Sequence, residues 1–101
     1  MLTKESNIKD LKRVIETTHD CTATHIEDVV VSEYFGIDVL WEGTVSVFSL
    51  KYHPTATKCY AWSEQIKDRY KRTYHTVLNL PPVDSPRKAV QVSIEKYLES
   101  N

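Results

Sequence analysis

Glycine is nearly missing from this chain: Gly36 and Gly43 are the only two in 101 residues. That excludes a Gly-rich loop wrapping its backbone N–H groups around a phosphate. With only four prolines as well, little slack exists for long flexible linkers. Cysteine is equally sparse. Cys21 and Cys59 are too few for a disulfide scaffold, so reduced thiols and a cytoplasmic protein are expected. No apolar run approaches the ~18 residues of a membrane helix, and no membrane partner is expected. The opening residues, Met1-Leu2-Thr3-Lys4-Glu5-Ser6, hold no apolar core of a signal peptide, so none is expected. Paired carboxylates at a catalytic spacing, internal repeats and low-complexity tracts are lacking too. Nothing here specifies an enzyme or implies a cofactor.

What is present describes an ordinary folded domain. Apolar residues make up 41% and charged residues 27%, which excludes both a disordered and a membrane-embedded chain. The length suits one domain over residues 1–101, able to bury roughly two thirds of the unfolded chain's surface. The net charge is −1, but it is unevenly placed. From Val14 to Leu50 there are seven acidic residues and no Lys or Arg; from Lys51 to Lys88 there are eight basic and three acidic ones. A bipolar surface of this kind can pair head-to-tail or steer a charged partner.

Periodicity predicts a helix over 7–19, with Ile8, Leu11, Val14 and Ile15 on one stripe and Ser6 or Asn7 as cap. Residues 21–24 read as a connector. Strands are expected over 26–35, 39–52, 58–65 and 70–80, from β-branched and aromatic runs that alternate. In the second strand Val39, Trp41, Gly43, Val45 and Val47 share one face, with Leu40, Phe48 and Leu50 on the other. That phase slip predicts a bulge at Gly43. Lys67-Asp68-Arg69 is a charged turn. Pro81-Pro82 ends the last strand, Asp84 or Ser85 caps a final helix, and Pro86 fits its first turn. The stripe of that helix is Ala89, Val90, Ser93, Ile94 and Tyr97. The expected fold is α+β, order α-β-β-β-β-α. It has two layers: a mostly antiparallel sheet of about four strands with both helices packed on one face.

Three sets of residues carry candidate chemistry. His19, Cys21 and His25 are possible zinc ligands, but their spacing matches no common zinc signature. Cys59 with His53 or His75 is a possible nucleophile and base, although Cys59 alternates with Ala61 as a buried small residue would. Tyr60, Trp62, Tyr70 and Tyr74, interleaved with Lys71, Arg72 and other basic residues, resemble a stacking platform for RNA or single-stranded DNA. The acidic first half argues against a polyanion as the main partner. Trp41 with Trp62 is a possible protein–protein patch. The expectation is therefore a small non-catalytic interaction module, with a homodimer formed through a sheet face or an edge strand as its form of association. Nucleic-acid binding through Tyr60, Trp62, Lys71 and Arg72 is the first alternative. A small Cys/His-dependent enzyme or metal protein is the second.

Helix, antiparallel strands, helix is also the element order of double-stranded RNA-binding domains, with Arg87-Lys88 near the start of the last helix. The long second strand and the Pro81-Pro82 turn depart from that pattern. Over most of its length the chain resembles a family of small, uncharacterised bacterial proteins. The residues that carry the resemblance are Trp41-Glu42-Gly43, His53-Pro54-Thr55-Ala56, Cys59-Tyr60-Ala61-Trp62-Ser63 and Pro81-Pro82-Val83-Asp84-Ser85-Pro86 with Ala89-Val90. The resemblance implies a short cytosolic α+β protein, brings no activity with it, and directs interest to His53, Cys59, Trp62 and Asp84.

Overall fold

Leu11 and Ile15 are fully buried, with Ile8 packed beside them, so one stripe of the first helix drives its docking. In the computed structural model, which describes residues 4–65 and 72–99, this helix, α1, spans Lys4–His19. Ser6 and Asn7, expected as caps, lie inside it. Asp20 closes it with φ 50, in the left-handed position more often held by glycine. Strands β1 (Thr22–Phe35), β2 (Asp38–Lys51), β3 (Lys58–Gln65) and β4 (Arg72–Leu78) follow, then helix α2 (Pro86–Glu99). The order is α-β-β-β-β-α, and the strands form one antiparallel sheet in the order β1-β2-β3-β4. Tyr70, Lys71 and the charged turn Lys67-Asp68-Arg69 lie outside the described residues, as does the Tyr97 side chain.

The helices do not share a face, and the fold has three layers. On β3, Cys59 and Ala61 join the core under α1, with Phe48, Leu50, Ala23, Leu11 and Ile15. Tyr60 and Trp62, pointing the other way, join a second core with Val45, Val47, Ala89 and Val90 of α2. Alternation along a strand puts these two sets on opposite faces. Residues Val45 to Phe48 are consequently all buried, including Ser46, whose hydroxyl donates to Asp28 Oδ1 at 2.7 Å. At the start of α2, Ser85 Oγ accepts from the Lys88 N–H at 3.2 Å, which makes Ser85 the cap and Pro86 the first helical residue.

Strand β1 begins at Thr22, inside the stretch expected to be a connector. The Glu16 carboxylate accepts from the Ala23 N–H at 2.9 Å and from Lys12 Nζ at 2.8 Å, so the start of β1 is tied to the last turn of α1. Gly43 is not a bulge: it pairs in register with Val31. The register shifts between His25 and Glu27 and between Glu33 and Tyr34, where Ile26 of β1 and Leu40 of β2 are the extra residues. Gly43 serves a different purpose. A Cβ there would lie 3.0 Å from the Trp41 ring, so the absent side chain gives the indole its place.

The sheet is also forked. Strands β1 and β2 pair along nearly their whole length, but β2 pairs with β3 only from Ser46 to Ser49. Beyond that root, β1 and β2 continue as a two-stranded arm, while β3 and β4 form a second prong. The arm turns at Gly36 and Ile37; Gly36 has φ 64, as the first central residue of a two-residue hairpin turn requires.

Candidate functional site

The fork opens a cleft on the α2 face of the sheet. Its cavity is about 470 Å³ and is lined by Leu40, Trp41, Trp62, Glu64, His75 and residues of α2. Trp41 reaches from the arm across the gap. Its Nε1–H donates to Glu64 Oε1 at 2.6 Å, and its ring meets Trp62 edge to face with centroids 5.7 Å apart. His75 pairs in register with Trp62 and stacks on it at 5.5 Å and 20°. Glu64 Oε2 lies 3.4 Å from His75 Nε2. That is an ion-pair distance without hydrogen-bond geometry, and Nε2 is buried with no hydrogen-bond partner among the described residues. Val90, Ser93 and Ile94 of α2 complete the wall. The result is an apolar cleft whose one carboxylate is held in place by an indole N–H.

The residues singled out from sequence are not gathered at one place. Tyr60 and Trp62 are 3% and 2% exposed, covered by α2, so they are not an open stacking platform. Burial, then the Asp84 carboxylate, pushes the Tyr60 hydroxyl's pKa up. Arg72 Nε and Nη2 donate to Ser63 Oγ at 3.2 and 2.9 Å, on the α1 side of the sheet, away from the cleft. His53 Nδ1 accepts from the N–H groups of Thr55 and Ala56 at 3.2 and 2.8 Å. It therefore organises its own loop, as the short turn after Pro54 requires. Asp84, beside the cap of α2, is exposed.

Neither the zinc set nor the thiol set is assembled. His19 Nε2 is 2.9 Å from Thr76 Oγ1, and His25 Nε2 is 2.9 Å from Asp28 Oδ1 with its ring against Phe48. Cys21 packs against the α1-side core. Among the described residues no group of three or more His, Cys, Asp or Glu is placed to hold a metal ion. Burial lowers the pKa of His19, helped by the nearby His53. Cys59 is fully buried and its thiol is pushed up to about 12 by that burial, which leaves no thiolate for attack near neutral pH. His75 is not its partner: Cys59 pairs with Leu78, and His75 points to the opposite face.

Two features escaped the sequence reading. Glu64 is one: its only signal is a carboxylate two residues after Trp62 on the alternating strand β3, a polar group close to a core. The other is the arm tip. Tyr34, Phe35, Ile37, Val39 and Leu40 are exposed, Ile37 to 96% and Phe35 to 75%. Its signal was present: Tyr-Phe-Gly-Ile puts apolar residues where hairpin turns usually carry Asn, Asp or Ser. No family model, curated protein or solved structure matches this chain.

Proposed function

We propose that the protein is a non-catalytic interaction module that pairs with a second copy of itself through the β1–β2 arm. The observation that carries this reading is the apolar arm tip, where Tyr34, Phe35, Ile37, Val39 and Leu40 face solvent together. Contiguous exposed apolar surface of this kind marks association sites. Charge supports a second copy as the partner. The arm belongs to the acidic stretch without Lys or Arg, whereas exposed Lys51 and Lys58 sit at the root. Arm of one copy against root of the other, repeated by a two-fold axis, closes the assembly at a dimer. A sheet-face dimer has less support, since α1 and α2 cover opposite faces. Nucleic-acid binding has less support as well, because Tyr60 and Trp62 are buried. Membership of the family of small bacterial proteins, and a cytoplasmic setting in keeping with two free thiols, belong to the same proposal. No helix of the described residues is long and apolar enough to cross a membrane.

Sedimentation velocity across a concentration series tests the pairing. A mass rising from 11.7 kDa to twice that value is expected, weakened by salt. Ile37→Asp should raise the dissociation constant at least ~30-fold, as loss of a central contact of ~2 kcal/mol does, without lowering the melting temperature. A wild-type protein that stays monomeric at millimolar concentration refutes the reading.

A further inference from the structure

We propose that the fork cleft is a binding site for a small primary amine with an apolar body. The inference does not require the arm's pairing, although the cleft shares Leu40 with the arm. A cavity of about 470 Å³ lies within the ~300–1,000 Å³ of small-ligand sites. Leu40, Val90 and Ile94 supply apolar walls, and the two indoles supply aromatic ones.

The polar end selects the head group. Glu64 Oε1 is occupied by the Trp41 N–H at 2.6 Å, which fixes the carboxylate. Oε2 faces His75 Nε2 at 3.4 Å, and Nε2 has no hydrogen-bond partner among the described residues. An ammonium group carries three donors and no acceptor, so one bound at this end can donate to Oε2. Among the described residues, no Lys or Arg is paired with Glu64, so the carboxylate's charge is available to a ligand. An anion meets the carboxylate's repulsion, and a neutral alcohol leaves the charge uncompensated.

The test uses Trp41 and Trp62, the chain's only tryptophans, as fluorescent reporters. The intact protein is titrated with hexylamine, hexan-1-ol and hexanoate. Hexylamine should give a saturable change, hexanol should bind about tenfold more weakly, and hexanoate weaker still. Glu64→Gln should weaken hexylamine about tenfold and should not weaken hexanol. Ser93→Phe, which fills the cleft from α2, should abolish both responses, and keeps the test open should Glu64→Gln fail to fold. Equal binding of the three probes, a preference for hexanoate, no response to hexylamine at millimolar concentration, or hexylamine binding undiminished in both variants would overturn the proposal.

Discussion

Replacing Glu16 by alanine tests how the fold secures its outermost strand. The carboxylate accepts from the Ala23 N–H and from Lys12 Nζ, and Ala23 is fully buried. Removing it leaves a buried N–H without an acceptor, which costs about 1–3 kcal/mol. The Lys12 pair is half exposed and adds no more than ~0.5 kcal/mol. A loss of about 2 kcal/mol is expected, or roughly 10 °C in melting temperature for a domain of this size. Glu16→Gln keeps an acceptor and should lose about half as much. Acid supplies a second signature. The Lys12 hydrogen bond, then the Ala23 N–H, holds the Glu16 carboxyl below its ordinary value. A carboxyl lowered in the folded state stabilises fully above its unfolded value, and that contribution disappears as pH falls through the folded one. The gap between wild type and Glu16→Ala should thus be widest above about pH 5 and narrow in stronger acid. Chemical denaturation across pH measures both. A variant within ~0.5 kcal/mol of wild type at neutral pH, or a gap that persists unchanged in acid, refutes the account.

Two further outcomes follow from burial and backbone geometry. Iodoacetamide should label Cys21 slowly in the native protein and leave Cys59 untouched until unfolding, because the buried thiol is pushed up to about 12; mass spectrometry after a timed pulse reads the ratio. Gly36→Ala forces a side chain into φ 64, at a cost of roughly 1–2 kcal/mol. Since no atom lies within 4 Å of that Cβ, the loss should fall on the arm, seen as faster amide exchange in residues 33–41 with the root unchanged.

The elements were legible in the sequence because each has its own period. Ile8, Leu11 and Ile15 mark α1, Ser85-Pro86 marks the start of α2, and the strands alternate. The layering was not legible. A stripe such as Ala89-Val90 shows that a helix has one apolar side, not which face of a sheet receives it. The sign was the run Val45-Ser46-Val47-Phe48, where both sides of β2 are covered; strands buried on both faces lose their polar alternation. Tyr60 and Trp62 were misplaced for the same reason, since an aromatic side of β3 suits a core as well as a platform. The bond from Glu16 to the Ala23 backbone has no sequence period, and neither does the fork. The fork depends on where β2 and β3 stop pairing. Glu64 and His75 therefore became neighbours only in three dimensions.

Ile26, the extra residue in β1, acts as a parity switch. Before it, odd-numbered residues such as Ala23 and His25 face α1; after it, Val29 and Val31 face α2. A matched insertion of two residues in each arm strand would lengthen the arm and preserve its faces. Deletion of Ile26 alone would join the His25–Phe48 pair directly to the Glu27–Val47 pair, giving an unbroken ladder in which Val29 and Val31 still face α2. The arm can thus change length in steps of two without rewriting the core, which lets its reach vary independently of the fold that holds it.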